Sequence, residues 1–179
     1  MGKLKKSLKD AYDKIYAPFD NGDGDESQIV SNRRFFIPVI ECLESGLKAT
    51  IPVKGFSMLP FIRGRKDLVV LQRKDSYRKG DIVLFNNHGR TILHRIVRIE
   101  GDRVTIQGDG VPRNQEHVRL KDIHGKAVTI LRDGKREVDP DSPWQRFRSK
   151  MWNGLKFMRK PLLYAYRLAP WNYVWLRKQ

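Results

Sequence analysis

The chain has 179 residues, with 36 Lys and Arg against 20 Asp and Glu for a formal net charge of +16, so its surface should attract something anionic, either nucleic acid or an acidic membrane face. Its apolar and charged fractions, 40% and 31%, are those of a soluble globular protein with one domain and extensions. The single cysteine, Cys42, excludes an internal disulfide and fits a reducing compartment, and no run of about 18 uncharged apolar residues exists to predict a transmembrane helix.

Residues 1–19 place Leu4, Leu8, Tyr12, Ile15 and Tyr16 on one helical face, with Lys3, Lys5, Lys6, Lys9 and Lys14 around it. That is a short basic amphipathic helix, able to dock on the domain or on a membrane. It opens with lysines as a signal peptide would, but no apolar core follows and Asp10 and Asp13 interrupt it, so export is not expected. The stretch "DNGDGDES" lacks the alternate-carboxylate spacing and distal glutamate of a calcium loop and reads as a flexible linker. Residues 31–44, "SNRRFFIPVIECLE", predict a helix whose first turn is limited by Pro38 and which stops at Gly46.

Between about residues 48 and 138 the pattern changes to short runs rich in valine and isoleucine: "KATIPVKG", "DLVVLQ", "DIVLF", "TILHRIVRI", "RVTIQ" and "KAVTIL". Turn signals at Lys79-Gly80-Asp81, Asn87-His88-Gly89, Gly101-Asp102, Asp109-Gly110 and Asp133-Gly134 separate them, which predicts a mainly β fold, a barrel or sandwich. The tail, residues 142–179, holds nine basic residues, no acid and all four tryptophans, leaving +7 for residues 1–141. Such a mixture fits a helix lying in a lipid headgroup layer, stacking on single-stranded nucleic acid, or packing back onto the barrel. The expected division is thus residues 1–45 (basic helix, acidic linker, short helix), 46–141 (β-rich domain) and 142–179 (basic aromatic helical tail).

Within "VKGFSMLPFIRGRKD", Ser57 follows a predicted strand between Gly55, which permits close backbone approach, and Pro60. A serine before a proline turn is more often structural, and a nucleophile needs a base within hydrogen-bond reach. Of His88, His94, His117 and His124, His88 reads as a hairpin-turn residue. His94 stands inside the apolar strand "TILHRIVRI" on the face of Ile92 and Ile96, where a valine or isoleucine is usual. A lone strand histidine is often just a satisfied buried residue; as a base it would need an acid on its other ring nitrogen. Asp109, in "QGDGVP" at the end of the next strand, is the candidate.

In order and spacing, "GFSMLP", "KGDIVLF", "LHRIV" and "QGD" resemble the signal peptidase and self-cleaving repressor clan of serine peptidases over about residues 46–130. The resemblance implies a signal-peptidase-like β core with helical extensions, Ser57 as nucleophile, and the Ser57 backbone amide as part of an oxyanion hole. Where bacterial signal peptidases and the repressors carry a lysine base, this chain has His94-Arg95 and so looks like the serine-histidine branch. Asp109 matches that branch's Gly-Asp motif; its second acid is missing from "VPRNQE", leaving Glu116 as an imperfect substitute. Asp67 reads as a turn cap. Neither a transmembrane anchor nor a helix-turn-helix domain precedes the serine box, so the chain looks most like stand-alone bacterial members of the clan.

The implied function is a serine endopeptidase that cleaves a peptide or protein precursor after small residues, with no metal or cofactor. "ATIPV" is a candidate edge for a substrate strand. A cytoplasmic protein, peripheral at an anionic membrane through its tail, is the expected setting. The other readings are a catalytically silent peptide-binding or regulatory barrel, and a nucleic-acid-binding protein, for which no motif speaks.

Overall fold

The computed structural model describes residues 25–168 apart from 112, 156 and 157; the expected N-terminal helix, most of the acidic linker and the tail beyond 168 lie outside the described residues. In chain order the elements are α1 (Asp25–Glu44), β1 (Lys48–Pro52), β2 (Leu68–Gln72), β3 (Ile82–Asn87), β4 (Arg90–Glu100), β5 (Arg103–Gln107), β6 (Gln115–Arg119), β7 (Ile123–Arg132), β8 (Arg136–Val138), α2 (Pro143–Gly154) and α3 (Arg159–Leu168).

The strands form one eight-stranded antiparallel sheet in the order β1-β2-β7-β3-β4-β5-β6, with β8 beside β7. It curls into a half-barrel, so the barrel-or-sandwich expectation resolves into a single continuous sheet. All six expected strands are present. Two more, "QEHVR" and "REV", have no apolar run to announce them: β6 alternates exposed and half-buried residues at the sheet's edge.

The central strand β3 is buried on both faces. Its even positions Ile82 and Leu84 join a core with Ile51, Met58, Ile62, Val69, Leu71, Ala127 and Ile130, against which α1 lays Phe36 and Leu43. Its odd positions Val83 and Phe85 join a second core with Ile96, Val104, Ile106 and Ile123. Period-two alternation alone sends neighbouring residues to different cores.

Helix α1 starts earlier than expected and runs straight through Pro38, which therefore lies inside it rather than near its first turn. Burial of Phe36 and Leu43 on the sheet holds the segments on either side of the missing amide donor. The end is as expected: Gly46 takes φ 78°, and its amide donates to the Leu43 carbonyl. Helix α2 begins at the sequence "DSPWQ", with Ser142 Oγ accepting from the Gln145 amide and Pro143 in the first turn.

A buried ionic staple holds the loop that follows β1. Asp67, at the loop's end, accepts from the Arg63 amide and guanidinium (2.8 Å each) and from Arg132 Nη1 (2.7 Å) on β7. Arg132 also donates to the Phe61 carbonyl. Burial by itself would raise the Asp67 pKa, but the arginines outweigh it and hold the carboxyl below the usual carboxylate range. Asp67 is thus structural.

Candidate active site

Ser57 lies in the tight turns after β1, half-buried, with the Leu59 amide donating to the Phe56 carbonyl. Two glycines bring another loop against it. The Gly110 amide donates to the Ser57 carbonyl at 2.7 Å. A Cβ at Gly110 would stand 2.4 Å from the Phe56 carbonyl oxygen, and one at Gly108 only 2.6 Å from that of Ser57. The same methyl at Gly108 would stand 3.0 Å from His94 Nε2. The imidazole edge and the serine backbone thus face one methyl-sized space that only glycine leaves open.

Register explains why His94 is there. In the pairings of β3, β4, β5 and β6, Val83 opposes His94, Ile96 opposes Ile106, and Ile106 opposes Glu116. His94, Ile96, Ile106 and Glu116 therefore share one face. Across that face Glu116 Oε2 comes within 3.3 Å of His94 Nδ1, with the two side chains 15% and 8% exposed. With Nδ1 occupied by a carboxylate, Nε2 is the nitrogen directed at the serine loop.

Asp109 was expected beside His94, and here the structure differs. Arg95 opposes Gln107, and continuing the alternation puts Asp109 on the Arg95 side. Arg95 Nε donates to Asp109 Oδ1 (2.9 Å) and Nη2 to Oδ2 (2.8 Å), while Nη1 donates to the Gly80 carbonyl (2.7 Å). Both side chains are almost fully buried, 4% and 1% exposed. The carboxylate that the sequence assigned to the imidazole is taken by the neighbouring guanidinium, and Glu116, the substitute, occupies the place on the histidine.

Glu116 was a candidate from the sequence, but the strand that positions it and the parts played by Arg95 and Trp152 were not. Strand β6 carries Glu116. Arg95, known only as the neighbour of His94, sets the Asp109 loop and lies 5.1 Å from the centre of the Phe61 ring. Trp152 of α2 donates from Nε1 to the Asp109 carbonyl at 2.8 Å and meets Phe61 edge-on. Trp152 was visible as an aromatic in the tail, but nothing local shows which way it points.

The other histidines stand apart. His88 takes φ 47° in the β3–β4 turn, as expected. His117, one residue from Glu116, points to the opposite face, where it meets Thr105 in a shallow depression with Arg98, Arg103 and Arg119. His124 is held toward its neutral form, mainly by burial. Among the described residues no group of three or more His, Cys, Asp or Glu side chains is arranged to hold a metal ion.

The family model described as Peptidase S24-like matches residues 21–131, more than half of the chain. The chain belongs to the Peptidase S24-like family. The match spans every residue of the candidate site except Trp152, and it places the fold in the self-cleaving repressor and signal peptidase clan of serine peptidases. No curated protein sequence matches the chain significantly. Helices α2 and α3 lie beyond the Peptidase S24-like match.

Proposed function

We propose that this chain is a serine endopeptidase in which Ser57 is the nucleophile, His94 the general base and Glu116 the acid that orients the base. The observation that carries the reading is the two-sided setting of His94, with Nδ1 on Glu116 at 3.3 Å and Nε2 beside the Ser57 backbone across Gly108. An Nδ1–H that donates a hydrogen bond to the Glu116 carboxylate leaves the Nε2 lone pair to take the serine proton, and the carboxylate then stabilises the imidazolium that forms. The serine oxygen attacks a peptide carbonyl, an acyl-enzyme forms as the amine leaves with that proton, and water releases the acyl group.

The substrate is a peptide or protein segment in extended form. Strand β1 is an edge strand that leads directly to the Ser57 loop, and a substrate strand added there would bring its carbonyl to the serine.

The test is labelling with a fluorophosphonate followed by mass analysis of the modified peptide. Adduct on Ser57 in the natural chain, with loss of labelling in both folded Ser57→Ala and His94→Ala, is the expected result. A double variant should be little worse than either single one, because groups acting as a unit are strongly non-additive. Labelling elsewhere, or turnover that survives both substitutions, sinks the reading, and a natural chain that neither labels nor turns over is a silent binding module.

A further inference from the structure

The two C-terminal helices present an apolar stripe to solvent. On α2, Trp144, Phe147 and Met151 are 64%, 53% and 52% exposed and recur at the three- and four-residue spacing of one helical face. Leu155 at the end of α2, Met158 just before α3 and Leu162 within it are exposed as well. The Trp144 and Phe147 rings stack on each other at 6.0 Å in the open.

The opposite face is already fastened. Trp152 is tied to the Asp109 carbonyl, Arg146 to Asp81 (3.0 Å) and Asp141 (2.7 Å), and Arg159 Nε to the Trp152 carbonyl (2.8 Å), with Ser149 and Leu163 buried. These anchors stop the helices from rolling over to hide the stripe. A row of exposed apolar side chains on an anchored element marks a contact with something outside the molecule.

Charge chooses the occupant. The segment 142–179 carries nine basic residues and no acid; Arg146 and Arg159 are held on the inner face, while Lys150 is exposed on α2 three residues after Phe147. Tryptophan, phenylalanine, methionine and leucine on one face of an acid-free basic helix match the boundary between headgroups and acyl chains of an anionic bilayer. We propose that the face made by Trp144, Phe147, Met151, Leu155, Met158 and Leu162 is a docking surface for an anionic lipid membrane, on which the protein sits peripherally. Because Trp152 on the inner side of the same helix contacts the Asp109 loop, docking sets the candidate site close to the bilayer, within reach of chain segments emerging from it. The surface does not depend on the peptidase reading and is tested without it.

The experiment is co-sedimentation of the full chain with equimolar phosphatidylglycerol and phosphatidylcholine vesicles. The controls are pure phosphatidylcholine vesicles and the triple variant Trp144→Ser, Phe147→Ser, Met151→Ser. Expected are binding to the anionic vesicles that weakens with salt, since exposed charges are screened beyond about 8 Å at physiological ionic strength, and partitioning of the variant reduced by roughly tenfold or more. Melting temperature and phosphonate labelling should be unchanged. Should the triple variant misfold, Phe147→Ser alone, with brominated lipids quenching natural but not Trp144→Phe protein to the full extent, reads the same contact. The proposal is overturned if the natural chain stays in the supernatant, if a folded variant binds as well as the natural chain, or if ultracentrifugation finds a dimer that the triple variant dissociates.

Discussion

A buried guanidinium with one carboxylate beside it tolerates little change, and this separates the two acids near His94. Asp109→Asn leaves Arg95 charged and buried against a neutral amide, and breaking such a pair typically costs about 3 kcal/mol or more. That should appear as a large drop in the denaturation midpoint. Glu116 lies on the polar edge strand β6 and does not neutralise Arg95. Glu116→Gln is therefore expected to leave stability near that of the natural chain while lowering kcat, or the rate of Ser57 labelling, by roughly ten- to a hundredfold with KM little altered. If instead Asp109→Asn proves stable and slow while Glu116→Gln is indifferent, the orienting role belongs to Asp109.

Helix α2 lies outside the part of the chain that matches the Peptidase S24-like family, yet it reaches the candidate site. The chain of contacts is short. Trp152 holds the Asp109 carbonyl, Gly110 holds the Ser57 carbonyl, and Gly108 fits between Ser57 and His94. Trp152→Phe keeps an aromatic ring against Phe61 and removes only the N–H donor. Loss of a net hydrogen bond of about 1 kcal/mol should lower the melting temperature by a few degrees and, with the Asp109 loop less well held, slow the labelling of Ser57 several-fold with KM little altered. Labelling at the natural rate in folded Trp152→Phe would reduce the contact to packing.

The whole molecule is stapled by carboxylates whose pKa values are depressed. Asp67 is held down by Arg63 and Arg132, and Asp141 by Lys126 and Arg146, in each case against the upward push of burial. A carboxyl with a lower pKa folded than unfolded contributes stability that is complete above its unfolded value, near 4, and disappears as pH falls through the folded value. Acid should therefore unfold the protein below about pH 4. Asp67→Asn should lower stability at neutral pH and flatten its dependence over the acidic range, as followed by thermal melts at a series of pH values. An unchanged acid slope in Asp67→Asn would show that other groups carry it.

The six strands with apolar runs, their turns and the serine and histidine candidates were legible because their signals are local. β-Branched runs, glycine turns and a histidine among isoleucines each show within a few residues. The family resemblance supplied the order of the motifs. What stayed hidden depends on register. Whether Asp109 or Glu116 meets His94 turns on which residues of β4, β5 and β6 stand opposite one another, and a one-residue shift exchanges the two faces. Strand β6 is polar, so its place at the sheet edge comes from pairing with β5 rather than from any apolar pattern of its own. The direction of Trp152 and the outward turn of Trp144 were likewise decided by tertiary contacts. Composition marks the tail as basic and aromatic, but only the anchoring of one face of α2 to the loops around Asp81 and Asp109 determines which of its aromatics face the candidate site and which are left to the solvent.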